Sequence, residues 1–156
     1  MLRQALPYVI QAPGGILSGR DRGEELLNGL MDHLRRSDPE AVVPLDFSGV
    51  EFMDISCADE FLTKLLMRIG SGELGTRYVF IQEANLSIRE TLEAVLKLRG
   101  LAALFKEEGE VEVLGTLKTP IREALEVVLE KKQGTSSEIA EALRKNINIV
   151  CNRLNV

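Results

Sequence analysis

Along residues 1–115 the apolar positions alternate between short, nearly continuous runs and helical stripes. Tyr8-Val9-Ile10 before Pro13-Gly14-Gly15 reads as a short strand ended by a turn. From about Asp21 to Arg36, the residues Leu26, Leu27, Leu30, Met31 and Leu34 recur at helical spacing. Asp21 and Glu24 stand near the start and Arg35 and Arg36 at the end, where each charge complements the helix dipole. Asp38-Pro39 stops this helix. Ala41 to Phe47 is a nearly unbroken apolar run, the pattern of a strand covered on both faces, which predicts a sheet with helices on each side. Val50-Glu51-Phe52-Met53 is a short extended piece. Ser56-Cys57-Ala58-Asp59 has the spacing of an N-cap with an acid at N3, and it opens a helix whose stripe is Phe61, Leu62, Leu65, Leu66 and Ile69, ended by Gly70-Ser71-Gly72. Tyr78-Val79-Phe80-Ile81 is a further buried-type strand. Ser87-Ile88-Arg89-Glu90 is a capping box for a helix with Leu92, Val95 and Leu96 inward, closed by Gly100. Leu101 to Phe105 and Val111 to Leu114 are strand candidates around a Lys106–Glu110 turn. Alternation of this kind predicts an α/β domain built on a sheet.

Near Gly115 the pattern changes to helices without strands, which sets a domain boundary between 1–115 and 116–156. Thr119-Pro120 opens a helix with the stripe Ile121, Ala124, Leu125, Val128 and Leu129, reaching about Lys132. Thr135-Ser136-Ser137-Glu138 caps a short helix that buries Ile139, Ala140 and Leu143. A third helix runs from about Asn146 with Ile149, Val150 and Leu154 inward.

Composition narrows the function classes. With 45% hydrophobic and 28% charged residues, the 156-residue chain has material for a packed core. Aromatics are few and Trp is absent, which disfavours base-stacking single-strand binders. No apolar run approaches the roughly 20 residues that cross a bilayer, and no leader pattern opens the chain, so the expectation is a cytoplasmic protein without a membrane partner. Cys57 and Cys151 lack CxxC spacing and read as buried or incidental thiols. Residues 1–115 carry a net −7 and residues 116–156 a net +2, so the two parts suit different partners.

The segment Leu45-Asp46-Phe47-Ser48-Gly49-Val50-Glu51-Phe52-Met53-Asp54-Ile55-Ser56 resembles the core of STAS domains, the fold of anti-sigma factor antagonists. With Ser56-Cys57-Ala58-Asp59-Glu60 behind it, it is similar to a STAS-like prokaryotic family of unassigned function, and Ser18-Gly19-Arg20 also suits that family. The likeness covers about residues 6–115. It implies a mixed sheet with helices, and a surface at Asp54, Asp59 and Glu60 that binds a protein partner, a kinase or an anti-sigma-like regulator. In anti-sigma antagonists the hydroxyl directly after the Asp is phosphorylated; here that position is Ile55. Ser56, one place later, is the candidate phosphorylation or anion site, because a helix N-terminus favours a bound anion. The plainer reading is that Ser56 only caps the helix. Cys57 stands where the family usually has Phe and reads as a packing substitution.

Thr135-Ser136-Ser137-Glu138-Ile139-Ala140-Glu141-Ala142-Leu143 resembles the second helix of winged helix-turn-helix regulators. The resemblance makes the next helix a recognition helix, with Asn146, Asn148, Asn152 and Arg153 placed to contact double-stranded DNA. It also implies a wing hairpin, and the sequence reaches Val156 without one. The alternative is a helical appendage that dimerises or packs on the first domain.

Other chemistry is less well supplied. Asp46, Asp54, Asp59 and Glu60 suggest a Mg²⁺ site only weakly, since Asp59 reads as the capping acid and Asp46 as a turn residue. His33, the single histidine, reads as a solvated surface residue. No Gly-rich phosphate loop is present. The sequence therefore points to a non-enzymatic transcriptional regulator without cofactor or metal, a STAS-like α/β domain joined to a C-terminal all-α helix-turn-helix, with homodimerisation open. The rivals are an interaction or oligomerisation module without DNA binding and an enzyme built on the acidic strand end.

Overall fold

The computed structural model describes residues 3–117, an α/β fold with a mixed sheet. Strands β1 (Arg3–Gln4) and β2 (Tyr8–Val9) both pair in parallel with β4 (Ala41–Asp46), one after the other along the same edge. The break between them has a local cause. The carbonyls of Glu40, Val42 and Asp46 accept from the N–H groups of Arg3, Ala5 and Ile10, so even-numbered residues of β4 turn their backbone to this edge. Pro44 is even-numbered and has no N–H to give there, and Pro7 interrupts the facing strand.

Beyond β4 the sheet continues with β6 (Tyr78–Gln82) and β7 (Ala102–Glu107), both parallel, and ends with the antiparallel β8 (Glu110–Gly115). The hairpin between β7 and β8 is tighter than the Lys106–Glu110 turn expected from polarity. Only Glu108 and Gly109 lie outside the ladder, at φ of 50° and 82°, and two successive positive φ values are what a type I′ turn requires. A separate parallel pair joins β3 (Ile16–Leu17) to β5 (Phe52–Met53).

Among the described residues the strands are connected by α1 (Arg20–Arg36), by α2 (Ile55–Ala58) running through a π-helical segment (Asp59–Thr63) into α3 (Lys64–Gly70), and by α4 (Leu86–Arg99). The expected stripes of all three helices are buried. Gly100 closes α4 in the left-handed conformation, as its position predicts.

The described helices all occupy one face of the sheet, while β4 is buried on both of its faces, as its continuous apolar run predicts. The Tyr8 ring packs at a tilt against His33 of α1 and Tyr8 stands in register with Leu45; Leu45 is in register with Ile81, and Ile81 with Phe105, which lies beneath Arg89 of α4. The same side of the sheet therefore meets α1 at one end and α4 at the other, with α2 and the π segment packed between them. The parallel strands follow one another in a single direction across the sheet, and crossovers of the usual right hand then leave their helices on one face. His33, expected in solvent, is half-buried against the Tyr8 ring. Among the described residues no helix is long and apolar enough to cross a membrane. β8 ends at Gly115, but Leu117 still packs in the core; residues 118–156, with the three helices expected there, lie outside the described residues.

Helix α1 approaches α2 closely at Gly23, where a Cβ would come within 2.6 Å of the Cys57 carbonyl oxygen and 2.8 Å of Glu60 Cβ. Backbone cannot yield as a flexible side chain can. Gly29, on the same helix, would place a Cβ 3.3 Å from the Tyr8 hydroxyl and nothing nearer. Alanine is normally better than glycine in a helix by roughly 1 kcal/mol. We expect G29A to be neutral or mildly stabilising in urea denaturation and G23A to lose about 2 kcal/mol or more through overpacking; equal effects would show that the two helices do not meet as described.

Candidate functional site

The carboxyl ends of β4 and β5 and the start of α2 bring the sequence motif together. Asp54, not Ser56, is the N-cap of α2: its extended backbone (φ −80°, ψ 165°) turns the side chain onto the N–H of Cys57 at 2.8 Å. The reason is tertiary. The same carboxylate accepts from the Ser18 hydroxyl at 2.6 Å and from the Gly19 N–H at 3.1 and 3.2 Å, so it fastens the β3–α1 junction to the start of α2. Burial raises the Asp54 pKa, but the bonds from Ser18, Cys57 and Gly19 outweigh it and hold the carboxyl below its ordinary range. Ser56 sits two residues past the cap, in the first turn, half-buried. Likewise α4 is capped by Asn85, whose side chain accepts from the Ile88 N–H at 2.8 Å, and not by Ser87. The Asn85 amide also donates to the carbonyls of Val50 and Glu51, which fixes the loop before β5.

Asp59 is turned inward and is 6% exposed. Arg99, the last residue of α4, grips it with two bonds, Nε to Oδ1 at 2.9 Å and Nη2 to Oδ2 at 2.7 Å. Arg20, the first residue of α1, reaches Oδ2 at 3.0 Å, and the Thr63 hydroxyl reaches Oδ1 at 2.9 Å. Thr63 also lies against the Asp59 carbonyl, the back-bonding that hydroxyls make across a helical turn, here within the π segment. The Arg99 bonds, set against burial and joined by Arg20 and Thr63, hold the Asp59 carboxyl well below the usual carboxylate range. Glu60, beside it, is paired with Lys64 at 2.5 Å and Arg20 at 3.2 Å. Asp59 thus has an internal structural part, linking three helical elements.

The four carboxylates of the motif do not converge. Asp46 accepts from the Ser48 N–H at 2.8 Å and serves the turn, as its sequence context predicts, while Asp54 and Asp59 have the separate partners given above. Among the described residues no group of three or more His, Cys, Asp or Glu side chains is placed to hold a metal ion. Cys57 is buried, and burial together with the nearby Asp54 pushes its thiol up to about 11, which makes it a packing residue and a poor nucleophile at neutral pH.

Beside the Asp54 cap three apolar side chains reach solvent. Ile16 and Phe52, in register across the β3–β5 pair, are 58% and 49% exposed, and Ile55 at the head of α2 is 51% exposed. None of these three was singled out as a candidate from sequence, although Ile55 in place of a hydroxyl was the visible signal. Arg99 was also missed. It carries no local signature beyond its place before Gly100, and its importance comes from a partner 40 residues away. The DNA-contact candidates Asn146, Asn148, Asn152 and Arg153 lie outside the described residues.

The two carboxylates make a pH prediction. An acid whose folded pKa is depressed contributes stability that is fully present above its unfolded value, about 4, and is lost as pH falls toward the folded value. Unfolding free energy should therefore fall steeply below about pH 4, and D59N should flatten that slope whatever its effect at pH 7. A slope unchanged in D59N would show that Asp59 is not held by the two arginines.

No protein-family model matches this chain, and neither the curated proteins nor the solved structures contain a match to it.

Proposed function

We propose that the chain is a non-enzymatic regulatory protein in which a STAS-like domain, residues 1–115, binds a protein partner and a helix-turn-helix in residues 116–156 binds double-stranded DNA. One observation carries the first half. The residues Ile16, Phe52 and Ile55 present apolar side chains to solvent around the segment that resembles the STAS core, while Asp54 clamps that segment from behind. Apolar side chains held in place at an otherwise polar surface are what a protein partner buries first.

Ser56 is the position at which modification would act on this surface. A phosphate there would add nearly two negative charges at the head of α2, where helix N–H groups favour it and the Asp54 carboxylate opposes it. The reading is therefore a binding switch: partner engagement at the Asp54 end changes the DNA affinity of the tail, with Ser56 phosphorylation as one way to disrupt the cap. Cytoplasmic localisation belongs to this proposal, since both expected partners are there.

DNA binding is supported by the positive charge of residues 116–156 and by the amide and guanidinium side chains Asn146, Asn148, Asn152 and Arg153. It is tested by fluorescence anisotropy of the full chain with labelled duplex DNA. Affinity should fall at least tenfold between 50 and 200 mM salt, because phosphate contacts release counterions, and N148A with R153A should weaken binding further. No binding at 50 mM salt, or binding indifferent to salt, overturns the DNA half.

A further inference from the structure

The side chains that point away from the helices are as apolar and as buried as those beneath them. The register that places Leu45, Ile81 and Phe105 under α1 and α4 turns the intervening residues to the opposite side: Val42 and Pro44 of β4, Tyr78 and Phe80 of β6, and Ala102 and Leu104 of β7. Val42 and Tyr78 are fully buried, Phe80 is 2% and Leu104 3% exposed. Val113 of β8, in register with Leu104, is only partly buried, so cover thins toward that edge. Yet all the described helices lie on the other face. A sheet face of this composition needs a covering layer.

We propose that the segment 119–132 of this same chain docks on this second face, through Ile121, Leu125 and Val128. Three observations favour it over a foreign partner. The sequence pattern of the segment is an amphipathic helix with one apolar stripe, the complement of an apolar sheet face. Fourteen helical residues extend about 21 Å, which matches the roughly 20 Å of the six-residue strands β4 and β7. The chain also enters the segment already turned toward the body, since Leu117, two residues beyond β8, packs in the core. The domain is then a three-layer unit, helices on sheet on helix, and only the two later helices of the tail are left for the DNA contacts proposed above. The docking itself does not depend on whether DNA is bound.

The test is nuclear Overhauser contact in the full chain with methyl labelling. Cross-peaks are expected from the methyls of Val42 and Leu104 to those of Ile121, Leu125 and Val128. In a sample mixed from two differently labelled chains they should remain within one chain. The double variant L125D/V128D should lose them and shift the Leu104 methyls, while the ring contact of Tyr8 with His33 of α1 persists if the helix face stays folded. Absence of the wild-type cross-peaks overturns the proposal. Cross-peaks found only between differently labelled chains overturn it too, and name a second copy as the cover.

Discussion

The helix layer is organised about one buried carboxylate. Asp59 is out of water, and an isolated carboxylate there would be costly by several kcal/mol. The cost is offset because Arg99 meets it with a bidentate, charge-assisted pair and Arg20 and Thr63 take the remaining lone pairs. Those partners come from the end of α4, the start of α1 and the next turn of the same helix. Satisfying Asp59 therefore sets where three helical elements stand relative to one another, which apolar contact alone does less specifically.

Two other constraints follow from that arrangement. With α1 drawn to the π segment by Arg20, its first turns approach α2 so closely that only glycine fits at position 23. At the same junction Asp54 joins Ser18 and Gly19 to the head of α2. Ile16, Phe52 and Ile55 are thus displayed on a rigid support: β3 and β5 are too short to be stable alone, and Asp54 and Asn85 tie down their ends. Rigidity at an exposed apolar surface lowers the ordering cost of binding. That is the physical link between the interior of the domain and the regulatory role proposed for its surface.

The alternation of strand and helix was legible because each long element obeys its own period. Leu26, Leu30 and Leu34 mark a helix as clearly as Ala41 to Phe47 mark a buried strand. The short strands Arg3–Gln4 and Ile16–Leu17 were not legible, since two residues carry no period and pair only because a partner strand is already in place. Both misplaced caps have one cause. Ser56 and Ser87 have the right local spacing, but Asp54 and Asn85, two residues earlier, also make contacts more than 30 residues away, and these decide the competition. Asp59 was noticed for its charge and given a place at the surface; the Arg20 and Arg99 side chains that turn it inward are 39 and 40 residues distant. The motif's polar residues could be found in sequence, while their partners could not.

The common-acceptor role of Asp59 is tested most directly by a double-mutant cycle on its two arginines, with stability read from urea denaturation. If both guanidinium groups serve one buried carboxylate, R20M leaves Asp59 with Arg99 and R99M leaves it with Arg20, so each single loss is cushioned. The double variant strands the charge and should be destabilised by clearly more than the sum of the two. Strict additivity of R20M and R99M would contradict the account.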